Sequence, residues 1–312
     1  MAIQVYDGSG AGTVVGANLR ASEIYNTLIW ENLVDRVDLR SLCVKLGDLG
    51  GAGSDTLETG SVTFGDAMAA ANTDEITAAT PTDVTNGNIS VSVAQQIISY
   101  KLSDKLMITG AQGQINLPRL AQAAADAYSL RFTDMVCGLL DNFSTTAGST
   151  TGDMTTDDWF SAMFSLEQAV VPGPYAAVLF PTQYTDLQSS LRSEGGAVQF
   201  LPATAEQLSL RGPGFKGSFL GVDIWTSDSV VTMNAGADSG GAMFGLGALG
   251  YAEASAKSQM AGSIAASAPA GSPVYAEFAR DANPGHSEIV AHAFVGVIEI
   301  EDARGVTIVT DR

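Results

Sequence analysis

Positive charge is scarce in this chain. Its 312 residues carry 15 Lys and Arg against 34 Asp and Glu, for a net charge of −19, and the cations are scattered with no basic run. A protein that reads DNA or RNA needs a basic face, because phosphate neutralisation dominates that affinity. Direct nucleic-acid reading is therefore disfavoured. Charge of either sign is sparse, at 16% of residues against the usual quarter. Much of the surface must then be small and neutral, which can be buried against another chain without stranding a charge. Only two cysteines occur, Cys43 and Cys137, far apart and in apolar settings. With no C-x-x-C pair and no Cys/His cluster, no zinc motif is present and the expectation is two buried free thiols. No apolar run approaches the ~18 residues of a membrane span. The opening MAIQVYDGSG has neither a basic nor an apolar region, so it does not read as a signal peptide.

Apolar residues and glycine are plentiful: 46% of the chain is hydrophobic and 34 residues are glycine. A packed core is expected and whole-chain disorder is not. From Ala21 the pattern turns helical: Ile24, Leu28, Trp30, Leu33 and Val34 suit a short amphipathic helix with Ser22 as a cap. Leu46 to Gly60 reads as a glycine-rich break. Strand signals follow at Ser61–Phe64 and Ile89–Tyr100, separated by a polar stretch with Pro81 and Asn86-Gly87 as turn residues. That stretch has too few apolar residues to fold alone, and an isolated hairpin is marginal in water.

Asn116–Asn142 predicts a long helix with Pro118 in its first turn. Leu117, Ala121, Ala124, Tyr128, Phe132, Met135, Leu139 and Phe143 form one apolar stripe, and the helix would run ~40 Å. Thr155–Val171 predicts a second helix opened by a Thr155/Asp158 capping box and stopped by Pro172-Gly173-Pro174. Ala176–Phe180 reads as a strand, Pro181–Leu191 as a helix, 204–210 as a short helix, and Phe219–Trp225 and Ala242–Leu246 as strands. Their order predicts a mixed sheet covered by helices. Gly250–Ser272 is a long Ala/Ser-rich connection. Val274–Arg280, Ile289–Ile300 and Val306–Val309 read as strands, with a tight turn at Asp302–Gly305.

Chemical motifs are weak. Gly212, Gly214 and Gly217 match G-x-G-x-x-G, as do Gly245, Gly247 and Gly250. A dinucleotide site needs a strand before the glycines and a helix after them. The first match is followed by a strand, and the second leads into the Ala/Ser stretch. His286 and His292 are expected as one loop and one strand histidine rather than metal ligands. Asp157-Asp158 sits at a helix start, where acids complement the dipole. No G-x-S-x-G elbow and no H-E-x-x-H is present. No catalytic, cofactor-binding or metal-ligating residue is therefore named, no cofactor is expected, and the chain does not read as an enzyme. The two Asn-x-Ser sequons, at Asn88 and Asn142, carry no weight without a signal peptide.

The layout resembles the major capsid protein of tailed phages, a fold shared with the herpesvirus capsid floor and the encapsulins. The phrase AAVLFPTQYTDLQ is similar to the strand–Pro–helix unit of such axial domains, and KGSFLGVDIWTSDSV to their segment of glycine, short strand, Gly-Val, strand and Ser-Asp. The resemblance covers nearly the whole chain and implies an α+β fold. Its parts would be an N-terminal arm with a short helix (1–57), an extended hairpin loop (58–106), a peripheral domain (107–152 and 251–312, with the spine helix at 116–142) and a mixed α/β axial domain (153–250). It implies a structural subunit that self-assembles into hexamers and pentamers of an icosahedral phage head. The head would enclose double-stranded DNA without sequence-specific binding, and no membrane is involved. Scaffolding, portal and decoration proteins are the further partners it implies. The location would be the virion capsid, assembled in the host cytoplasm. Some members crosslink through a lysine in the extended loop, but no lysine lies between Lys45 and Lys101. An encapsulin-like nanocompartment shell is one alternative. A soluble nucleotide-dependent enzyme using Gly245–Gly250 is another.

Overall fold

A computed structural model describes residues 39–49, 54–63, 85–104, 117–193, 200–212, 214–254, 274–283 and 285–312. The expected helix after Ala21 lies outside these residues. Strands β1 (Val44–Asp48), β4 (Ala94–Ser103), β12 (Leu249–Glu253), β13 (Val274–Asp281) and β14 (His286–Glu299) form one sheet. In it β14 pairs antiparallel with β12, β13 and β4, and β1 adds parallel to β12. Strands β2 (Thr56–Thr63) and β3 (Thr85–Ser92) pair only with each other, as a separate two-stranded ribbon.

The long helix α1 runs Leu117–Cys137, ~32 Å at the usual rise per residue. It is shorter than its apolar stripe. Beyond Cys137 the chain tightens, with Leu139 N–H bonding Val136 O and Leu140 N–H bonding Cys137 O. Glycine at 138 and the Asp141-Asn142 pair favour leaving the helix here. Leu140 and Phe143 still reach the core, but from a turn. The two halves of α1 pack differently. Ala121, Ala124, Ala125 and Tyr128 sit on Val274, Ala276, Ile289, Ala291 and Ala293 of the first sheet. Small side chains let helix and sheet approach closely. Phe132, Val136 and Cys137 instead enter a cluster with Val178, Phe215, Trp225, Phe244 and Val295.

Most of those partners belong to a larger mixed sheet. Its order is β5 (Thr146–Ser149), β15 (Gly305–Asp311), β11 (Asp238–Gly245), β6 (Tyr175–Leu179), β9 (Val222–Thr226), β8 (Phe215–Phe219) and β7 (Phe200–Pro202), with β10 (Thr232–Met233) beside β11. β5 runs parallel to β15 and β6 parallel to β9. Helices α2 (Thr156–Gln168) and α3 (Pro181–Ser193) cover the face opposite α1. Trp159, Ala162 and Leu166 of α2 and Leu187 and Leu191 of α3 pack on Ile224, Met243 and Ile308. The Thr155/Asp158 capping box forms as expected. A short α4 (Ala205–Arg211) opens with a second one, Thr204/Gln207.

One buried polar side chain ties this sheet to α3. Gln183 is 0% exposed. Its Oε1 accepts from Phe180 N–H, and its Nε2 donates to Ser239 O, Ile308 O and Thr310 Oγ1 at 2.9–3.1 Å. Glycine stands at 241 because a Cβ there would press on Gln183 Oε1 at 2.6 Å.

Several expectations shift. The strand expected at Ile89–Tyr100 is two, β3 and β4, broken at Val93. Phe219–Trp225 also splits, because Leu220 and Gly221 both take positive φ, 52° and 81°, and turn a tight hairpin between β8 and β9. Part of the supposed glycine-rich break is strand β1, which joins the first sheet through β12. The last strand, expected with the peripheral segment 251–312, pairs instead with β11 and β5 in the larger sheet. Its Val306 and Ile308 fill the core under α2. His286 is the first residue of β14 and not a loop histidine.

Candidate functional site: an assembly surface

The residues singled out for chemistry do not converge. Gly217 lies within β8, and Gly245 closes β11 before a turn into β12. Strands follow both glycine runs, so neither offers the helix N-terminus a pyrophosphate needs. The nucleotide reading loses its geometric basis. His286 and His292 share one face of β14 but are six residues apart, ~20 Å along a strand. One metal ion cannot bridge that gap. His292 stacks on Tyr275 at 4.8 Å between ring centroids and bonds Gln95 through Nδ1 at 2.9 Å. Burial lowers its pKa, and the nearby Glu277 charge only partly offsets that. Asp158 is occupied by the capping box. Among the described residues no group of three His, Cys, Asp or Glu is placed to hold a metal, and no helix is long and apolar enough to cross a membrane.

Both cysteines are free thiols. Burial pushes each up to about 12. Cys43 is half-buried as a residue, but its sulfur turns inward to Leu39 O at 3.6 Å. A thiol so hard to ionise is a poor nucleophile.

Cavities are equally unpromising for a small ligand. A pocket of about 10 Å³ beside Phe132 and Tyr128 is water-sized. An open groove of about 490 Å³ runs past Thr146, Ser149, Met233 and Asn234 and has no converging charges.

The geometry that stands out is mechanical. The ribbon β2–β3 is rooted in the body and pairs with no other described strand. At the root, Val91 and Val93 are buried with Leu49, Ala252 and Ala254, and Leu57 packs beside them. Val93 N–H bonds Asp55 O at 2.9 Å. Where β3 crosses β14, Gly296 leaves room that a Cβ would lose by colliding with the Ser92 carbonyl. Further out, the paired residues are Thr, Gly, Ser, Val and Asn. Such a ribbon has no core of its own.

The root is braced by a charged cluster. Glu253, 4% exposed, accepts from Arg40 at 2.8 Å and Lys45 at 2.9 Å. The Arg40 guanidinium lies 4.7 Å from the Phe132 ring centre and 5.8 Å from that of Tyr251. Burial opposes the Lys45 charge, but the Glu253 hydrogen bond and charge outweigh it and hold Lys45 above the ordinary lysine range. Burial, then the Glu253 charge, raises Tyr251. The cluster fastens the turn at 39–42, β1 and β12 to the spine, which no single motif in the sequence announced.

No family model matches this chain, and no curated protein matches it. Solved structures do. It is similar to the mature capsid of bacteriophage PhiM1, with a TM-score of 0.59 at 10% identity over 99% of this chain and 92% of that one. Against a chain of Mycobacterium phage Che8 the TM-score is 0.57 at 16% identity, covering 88% and 91%. The holo-SrpI encapsulin of Synechococcus elongatus PCC 7942 gives 0.55 at 14% identity, covering 73% and 77%. These likenesses establish the fold: an α+β chain with the architecture shared by tailed-phage major capsid proteins and encapsulins.

Proposed function

We propose that this chain is the major capsid subunit of a tailed phage. Copies of it form the hexamers and pentamers of an icosahedral head around double-stranded DNA. The observation that carries the reading is the fold match along nearly the full length of both chains, 99% and 92% for the PhiM1 capsid. The rooted ribbon without a core supports it, since such an element gains most by lying on a neighbour. A net charge of −19 suits a wall that encloses a polyanion without gripping it. On this reading the chain is not an enzyme and holds no cofactor. It resides in the virion after assembly in the host cytoplasm, with scaffolding, portal and decoration proteins as further partners. The segments 1–57, 58–106, 107–152 with 251–312, and 153–250 serve as arm, extended loop, peripheral domain and axial domain. The final strand is built into the axial sheet.

An encapsulin-like shell is the second reading, and the holo-SrpI match supports it with less coverage, 73% of this chain. Particle contents separate the two. Heads purified from infected or induced cells should hold nuclease-protected double-stranded DNA. Shells packed with a protein cargo and no DNA would replace the phage reading with the encapsulin one.

A further inference from the structure

Two exposed apolar patches lie at opposite edges of the larger sheet. The first is on α2, which packs over β5, β15 and β11 at one end. Its inward face is Trp159, Ala162 and Leu166, yet its outward face carries Phe160, 43% exposed, and Phe164, 63% exposed. Beyond the helix, Val170 is 85% exposed. The second patch surrounds the other edge strand, β7, and the adjoining α4. Leu201 and Leu210 there are each 65% exposed. Six strand spacings separate β5 from β7, ~29 Å.

Val170 shows that the first patch is not incidental. It occupies the position after the helix C-cap, where Val171 N–H bonds Leu166 O and Val170 N–H bonds Glu167 O. This is the closing pattern in which glycine is the usual resident, because φ is positive. Here φ is 55° on a β-branched residue. The fold gains nothing from that side chain, which lies almost wholly in solvent.

Acids alone flank the first patch, and the few cations of this region lie away from it. On α2, Asp157 and Glu167 flank the two phenylalanines on the same outward face, and no Lys or Arg occurs between Arg131 and Arg192. Within 146–254 the only cations are Arg192, Arg211 and Lys216. They sit at the end of α3, the end of α4 and in β8, towards the β7 edge. Arg211 is paired with Asp223, and Glu206 is the acid on α4.

Resting on the shell reading above, we infer that the α2 patch of one copy docks on the β7–α4 edge of the next. Two different surfaces at opposite ends of one sheet make a head-to-tail contact. Such contacts close into rings when the rotation permits. Phe164 and Val170 form the apolar centre, and the acids of α2 meet Arg192 and Lys216 around it.

The test uses the full chain. Phe164→Ser with Val170→Gly, and separately Leu210→Ser, should each cut shell yield at least tenfold at fixed concentration by sedimentation. The melting temperature of the unassembled subunit should hold or, for Val170→Gly, rise. Glu167→Lys and Lys216→Glu should each lower yield, and their combination in one chain should recover it. Wild-type yields from the apolar variants would overturn the inference while leaving the shell reading intact, and so would failure of the combined charge swap to recover. A wild-type chain that never assembles would remove both.

Discussion

The two sheets of this molecule are built to different standards. In the larger one, all eight residues of β11 are buried, with Phe132 and Phe244 on one side and Trp159 and Met243 on the other. In the smaller one, β4 alternates between exposed and half-buried from Gln95 onward. Its apolar face meets an alanine-rich helix, and the ribbon beside it joins no other strand among the described residues. Among the described residues the first sheet is packed on both faces, whereas β4 of the second keeps one face exposed.

Phe132 is where this contrast can be broken most forcefully, because it joins both regions. Its ring is 1% exposed and packs edge-on to Tyr251 at 5.6 Å. Phe132→Ala should cost ~3–5 kcal/mol in denaturant unfolding. It should also lower subunit yield before it alters particle geometry. Wild-type stability would mean that the spine does not couple the sheets. Gln183→Leu acts within the larger sheet alone. It strands the Phe180 N–H and two carbonyls that Gln183 now satisfies, so a loss of ~1–3 kcal/mol is expected from chemical denaturation. Native hydrogen exchange should show that loss in β11 and β15 while leaving β4 protection unchanged.

Thr155→Ala removes one side of the α2 capping box and should cost ~1 kcal/mol, read as a small drop in melting temperature. The smallest effect belongs to the second sheet. Folding holds His292 below its ordinary pKa of 6.5 through burial, so the folded state prefers the neutral ring. Its contribution is full above pH 6.5 and fades as pH falls below that value. His292→Gln should remove this acid-side loss and leave neutral-pH stability nearly unchanged. A strong neutral-pH defect would mean the Tyr275 stack carries more than an exposed sheet needs.

Legibility in the sequence followed another divide, between local signals and long-range pairing. Helices α2 and α3 were readable from capping residues and prolines, and α1 from its stripe, because those signals are local. The strand pairings were not. β1, with the short sequence VKLGD, has no alternation of its own and exists because β12 lies beside it. β15 reads as a strand, but nothing local tells which sheet takes it. The break at Leu220–Gly221 had one signal, the glycine, and needed a leucine in positive φ to complete it. For the assembly surface, the weak core of 61–106 was visible in composition. The exposed Phe160, Phe164 and Val170 were not, because their positions look like ordinary helix residues until the inward face is known.

The central claim is that this chain is a shell subunit, and sedimentation with electron microscopy of the purified protein tests it most directly. Subunits of charge −19 repel, and ~0.1 M salt screens that repulsion beyond ~10 Å. The account predicts closed particles tens of nanometres wide, increasing from very low to moderate ionic strength. A protein that stays monomeric across that range, or assembles best at the lowest salt, would contradict it.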